Sequence, residues 1–255
     1  MPPRQRTPEG PPPAPPVQKL RIRYARRGRL RFSSTRDFAR AIERALRRAQ
    51  IPMAFSAGFH PHPKISYANG APTGTASEAE YFEISVTERV DPDAVREALD
   101  EALPTGLDVI DVVTAGPGAL ADRLEASEWR LLFRDVSEAE LGAAITAYLA
   151  CETAEVSRTF KTGLKTFDTR SAVLTMEAGA ESSADPGDRC AILRMVVRHT
   201  TPSVRPDDIL TALRAVSAFA SPVPPLVTRL AQGPLRDANA GVADPLAADR
   251  EAVGS

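Results

Sequence analysis

One order of hydrophobic patterns runs through the chain twice, and that order most limits what it can fold into. Leu20, Ile22 and Tyr24 alternate with Lys19, Arg21 and Arg23, the two-residue period of a half-buried strand with a basic outer face. Gly28 breaks the pattern, and Leu30 and Phe32 resume it. Residues 33–50 then switch to a helical period. Phe38, Ile42 and Leu46, with Ala41, Ala45 and Ala49, make one apolar face, and Ser34 can cap the helix with Asp37 three residues on. An extended segment from Ile51, a strand at Glu80–Val86, a helix in "DPDAVREALDEALP" and a strand at Leu107–Val113 follow. The order is β-α-β-β-α-β, that of a ferredoxin-like split βαβ unit.

A looser second pass begins at "EWRLLFRDV". It continues with a helix whose capping box runs from Ser137 to Glu140, an extended hairpin around Gly163, strands in "SAVLTMEA" and "DRCAILRMVVRHT", a helix from Pro206 and a last strand in "PLVTRLAQ". The expected fold class is therefore α+β, with two ferredoxin-like α/β sandwich units in tandem at residues 19–120 and 121–231. A proline-rich disordered tail at 1–18 and a second disordered tail at 232–255 flank them.

No apolar run approaches the roughly eighteen residues of a membrane span, and no apolar core follows the basic N-terminal residues as in a secretory signal. Neither a membrane partner nor export is expected. Cys151 and Cys190 are the only cysteines, too few for a disulfide framework or a four-thiolate zinc site, so a reducing cytoplasm is the expected location. The net charge of −1 hides an asymmetry. Residues 19–70 carry thirteen lysines and arginines against two acids, a net of +11, while residues 71–255 sum to −13. A local excess of that size is the electrostatic footprint of a polyanion-binding surface.

Four segments carry candidate chemistry. In the helix, Arg36, Arg40, Arg44 and Arg48 recur every four residues, Arg47 falls in the same arc, and all lie opposite the Phe38/Ile42/Leu46 face. Like charges at that spacing repel, so the stripe points to an anion outside the helix or to acidic loops of the chain itself. The second segment is "FSAGFHPHPKISYANGAPTG", residues 55–74. Its prolines hold His60 and His62 extended. Two imidazoles fall short of a zinc site, which takes at least three protein ligands, so no metal and no cofactor are expected. A single histidine can act as general acid or base. Phe55, Phe59, Tyr67, His60 and His62 offer stacking faces and Lys64 offers charge, a mixture that suits single-stranded RNA. Phe59 is expected to anchor the loop in the core, and His62, Lys64 and Ser66 to share one side near Arg44 and Arg48. The third segment, "GAPTG", can approach phosphate with backbone N–H groups, although no G-K-[ST] follows it. The fourth is the basic hairpin "SRTFKTGLKTFDTR", where Arg158, Lys161, Lys165 and Arg170 around the Gly163 turn can follow a phosphate backbone and Asp168 can orient an arginine.

Together these segments resemble the radical-SAM-linked proteins, a family sharing a domain of unknown function. The resemblance rests on Arg31, Phe32 and Ser33; on Arg44, Ala45, Arg47, Arg48 and Ala49; on Ser56, Gly58, Phe59, Pro61, His62, Pro63, Lys64, Ile65 and Ser66; and on Gly74, Ser77, Glu80 and Tyr81. "KTGLKTFDTR" is similar to the family's basic hairpin ending in Asp-x-Arg. Thr35 stands where a histidine can stand, and the place of His60 is often asparagine or serine, which leaves His62 the better candidate for chemistry. Such relatives are fused to, or encoded beside, cobalamin-binding radical-SAM proteins and ribonuclease E/G-like genes. The resemblance thus implies an RNA-related task beside such a partner, including tRNA modification. It implies no radical-SAM reaction here, since two cysteines cannot hold a three-cysteine cluster. The leading expectation is an RNA-binding accessory protein of RNA modification or processing, with Arg31 among its phosphate contacts. The alternatives are an RNA-acting enzyme using His62 as acid or base, and a structural partner of the radical-SAM protein that needs no RNA.

Overall fold

The structure, a computed structural model, describes residues 13–180, 190–236 and 241–253. The chain is α+β, and its described residues divide into two compact units. The first comprises those of Met1–Thr73, Ala79–Gly118 and Leu246–Ser255, and the second those of Gly74–Glu78 and Ala119–Pro245.

In the first unit, β1 (Gln18–Arg26) leads through a 3-10 turn (Gly28–Phe32) to α1 (Thr35–Arg48). β2 (Ile65–Ala68), β3 (Ala76–Val86), α2 (Pro92–Ala102) and β4 (Leu107–Thr114) follow. The sheet runs β4-β1-β3 with β2 paired to β3. β1 and β4 are antiparallel, from Leu20 opposite Thr114 to Arg26 opposite Leu107. Ser34 Oγ accepts from the Asp37 N–H and caps α1 as the sequence predicts. Asp91 caps α2 the same way, with Pro92 in the first turn. Alternation then sorts the sheet's faces. Leu20, Ile22, Tyr24, Phe82 and Ile84 meet Phe38, Ile42 and Leu46 of α1 and Leu99 of α2 in one core.

The opposite face carries Arg21, whose side chain is fully buried. Its guanidinium donates to Glu83 at 2.9 Å, to both Asp249 oxygens at 2.6 and 2.9 Å, and to the Gly118 carbonyl. Burial works against its charge, but the two carboxylates outweigh that and raise its pKa. Asp249 belongs to α5 (Ala247–Val253), which lies against β4. Residues 241–253 are therefore no tail. Leu246 and Asp249 are fully buried, and Arg250 pairs with Asp111. The alanine- and aspartate-rich composition hid this because the partners lie more than a hundred residues away. The expected N-terminal tail falls mostly outside the described residues. Of its last residues, Val17 already donates to the Val86 carbonyl, and Gln18 opens β1.

The second unit has β5 (Ala126–Arg134), α3 (Glu138–Leu149), a hairpin of β6 (Glu155–Phe160) and β7 (Gly163–Asp168), β8 (Val173–Ala180), β9 (Cys190–Arg198), α4 (Pro206–Val216) and β10 (Leu226–Gly233). Its sheet runs β10-β5-β9-β8, each neighbour antiparallel. Within this same unit, Ala76 and Ser77 of the Gly74–Glu78 segment, the first residues of β3, pair in parallel with Thr228 and Arg229. Ser137 and Glu140 form the expected capping box. Trp129, Leu131 and Phe133 alternate into a core completed by Leu141, Ile145 and Tyr148 of α3 and Ile209 and Leu213 of α4.

Candidate nucleic-acid interface

The apolar stripe of α1 faces the sheet, so the helix must present its other side to solvent. Arg36, Arg40, Arg44, Arg47 and Arg48 are all exposed there, and among the described residues none of their side chains makes a hydrogen bond or ion pair. At 1.5 Å per residue, the four at every fourth position stand about 6 Å apart along roughly 18 Å of axis. Asp37 is occupied by Ser34, which leaves Glu43 as the other acid of the helix. Arg31 precedes the helix. It is half-buried, its Nε has no partner among the described residues, and its guanidinium lies 4.7 Å over the Phe32 ring.

Residues 55–63 close on themselves. Phe55 bridges Pro63, the Ser56 N–H donates to the His62 carbonyl at 2.9 Å, and the His62 N–H donates to Ser56 Oγ at 3.0 Å. Ser56 thus clasps both ends of a tip formed by residues 57–61. Phe59 stands on that tip and is 60% exposed, so it is no core anchor. The prolines and the Ser56 clasp hold the loop without it. The His60 and His62 rings are exposed and make no hydrogen bond or ion pair among the described residues.

The expected row of His62, Lys64 and Ser66 beside Arg44 and Arg48 does not form. Ile65 packs in the core with α1, and the Tyr67 ring meets Phe38 at 5.7 Å. Lys64 and Ser66 therefore point to the other face of the sheet, where they line a shallow cavity of about 250 Å³ with Lys19, Glu83 and Ser85. Burial, helped by the charge of Glu43, pushes the Tyr67 hydroxyl up to about 12.

The "GAPTG" loop already has part of its backbone engaged. Arg26 donates to the Ala71 and Pro72 carbonyls, each at 2.9 Å, and buried Glu80 accepts the Ala71 N–H. In the second unit's hairpin, Lys161 and Lys165 are exposed, with Lys165 Nζ 5.7 Å from the Phe160 ring. Arg170 is used internally, donating to the Leu149 and Val173 carbonyls. Among the described residues, Asp168 orients no arginine side chain. Burial pushes its carboxyl up, but the N–H groups of Ala154, Ser171 and Arg170 outweigh that and hold it at about 2.

A further constellation escaped the sequence patterns. His199 Nδ1 is 2.7 Å from the Leu124 carbonyl, which can only accept, so Nδ1 holds the proton and Nε2 accepts from Ser127 Oγ at 2.7 Å. A serine held by an oriented histidine is a nucleophile's geometry. Ser127, however, is 1% exposed and closed to substrate. Burial first, and then the charge of Arg229, lower the His199 pKa against the Leu124 bond. No spacing motif links Ser127, His199 and Arg229; only neighbouring strands bring them together. Among the described residues, no group of three or more His, Cys, Asp or Glu is placed to hold a metal ion.

Residues 19–206 match the sequence model of a family described as "Uncharacterized protein conserved in bacteria (DUF2344)". The chain belongs to that family. The matched stretch includes α1, the 55–63 loop and the β6–β7 hairpin. A search of curated proteins finds no significant match. Solved structures give weak likenesses. An unknown protein from Galdieria sulphuraria is 15% identical, with 78% of this chain and 91% of that chain covered and a TM-score of 0.24. DyPB from Rhodococcus jostii RHA1 is 12% identical over 91% of this chain and 97% of that chain, with a TM-score of 0.23. The encapsulated DyP-type peroxidase from Mycobacterium smegmatis is 10% identical over 86% and 92%, with a TM-score of 0.21. At such TM-scores these likenesses carry no argument about this chain.

Proposed function

We propose that the chain is an RNA-binding accessory protein of RNA modification or processing, working in the cytoplasm beside a cobalamin-binding radical-SAM protein or a ribonuclease. The observation that carries the reading is the open arginine face of α1. Like charges four residues apart each cost a few tenths of a kcal/mol, and no acid among the described residues neutralises them. A polyanion that lies along the helix removes that repulsion and releases its own counterions. The choice of RNA, and of the partner, rests on the resemblance of the arginine helix and the His-Pro-Lys loop to the radical-SAM-linked proteins. Binding is favoured over chemistry at His62, because its ring has no orienting partner among the described residues.

Filter binding of a single-stranded RNA across a salt series tests the reading. Five phosphate contacts on a single strand give a slope of log K against log salt of about −3.5. Absence of binding at low salt, or affinity indifferent to salt, overturns it. Turnover of an RNA substrate that His62→Ala abolishes and His60→Ala keeps would install the enzyme instead.

A further inference from the structure

We infer that Phe59, on its clasped hairpin tip, and Phe32, at the foot of α1, are base-stacking surfaces, so that the RNA taken by this chain is unpaired rather than duplex. The inference deepens the RNA-binding reading and rests on it. Both rings are 60% exposed, so neither serves the core. The backbone beneath each is nonetheless held in place. The Phe59 tip is stiffened by Pro61 and Pro63 and closed by the Ser56–His62 hydrogen bonds. Phe32 ends the 3-10 turn with the Arg31 guanidinium stacked 4.7 Å from its ring centre. A rigidly presented ring loses little entropy on meeting a flat partner. Three residues after Phe32, α1 begins, whose arginine side chains have no partner among the described residues. Arginines need phosphates and rings need base faces. A single strand offers both together, whereas in an A-form duplex the base faces are already stacked. Insertion into a bilayer would take a larger apolar surface, and Phe59 is flanked by Gly58 and His60.

The test is fluorescence anisotropy of the full chain with a labelled single-stranded RNA and with a blunt duplex of the same sequence, at one low salt concentration. Wild type is expected to prefer the single strand about ten-fold or more, and Phe59→Ala and Phe32→Ala each to lose about five-fold or more on the single strand alone. Arg44→Ala is expected to weaken both forms alike. Equal wild-type affinity for the two forms, or an unchanged Phe59→Ala, overturns the inference and leaves the RNA reading standing. Absence of binding to either form overturns both. If Phe59→Ala instead loses binding to vesicles of phosphatidylcholine and phosphatidylserine while keeping the single strand, the tip is a membrane wedge and the inference fails.

Discussion

Single residues in this chain divide by what surrounds them rather than by type. Phe59 and Phe82 are both phenylalanines of the first unit, yet one is exposed and the other fully buried. Phe59→Ala is expected to leave the melting temperature nearly unchanged, while Phe82→Ala should cost about 3–5 kcal/mol in denaturant unfolding. Gly233 is a sharper case. A Cβ there would lie 2.1 Å from the Ala243 carbonyl oxygen, which is backbone and cannot yield cheaply. Gly233→Ala is therefore expected to lower the melting temperature clearly. His199 sets a pH dependence. Its folded pKa lies below the usual histidine value, chiefly through burial, so the unfolded chain binds the proton more readily. Its contribution to stability is complete above about pH 6.5 and is lost as the pH falls from there through the folded pKa. Denaturant midpoints measured down that range should fall, and part of the fall should vanish in His199→Gln.

At the scale of elements, α1 is the one most fully written in the sequence. Its cap, its apolar stripe and its arginine face all follow from residues at most four apart, the range over which helix geometry acts. Replacing Arg40 and Arg44 together by alanine is expected to make the salt slope of RNA binding shallower by about 1.4, two phosphates at about 0.7 each, with no loss of stability. The removed repulsion, a few tenths of a kcal/mol, acts in the stabilising direction. Thermal melts and a salt series check both parts. The 55–63 hairpin was less legible. Its prolines announced stiffness, but only the cross-loop bonds from Ser56 to His62 fix which residues form the tip. The two sides of β2 were misread for a related reason. Alternation says that Lys64 and Ser66 share a face; which face holds the helix is a matter of packing, and Ile65 and Tyr67 take that one.

At the scale of the whole molecule, the C-terminal segment is tied to the first strand. Arg21 and Asp249 are both fully buried, and neither charge has solvent to fall back on. Removing one partner of such a pair is strongly destabilising, and with Asp249 gone Arg21 keeps Glu83 as its one carboxylate among the described residues, so Asp249→Ala should cost about 3 kcal/mol. A chain stopped after Pro245 should lose at least as much unfolding free energy, measured by denaturant titration followed by circular dichroism. An unattached tail would give no change in either experiment.

The sequence by itself determined the α+β class and the order of strands and helices from β1 to β10, though not α5 or the 3-10 turn at Gly28–Phe32, because the two-residue and 3.6-residue periods and the caps act within a few neighbours. It also determined that the basic charge concentrates in residues 19–70. Only the tertiary structure decided which charges stay open. Arg21, Arg26 and Arg170 look in the sequence like Arg36 and Arg44, yet they are spent on Asp249, on the Ala71 and Pro72 carbonyls, and on the Leu149 and Val173 carbonyls. Those partners lie between 3 and 228 residues away, and no local period encodes them. An arginine's availability is fixed by where distant backbone and carboxylates come to rest, and among the described residues the outer face of α1 keeps five of them open side by side.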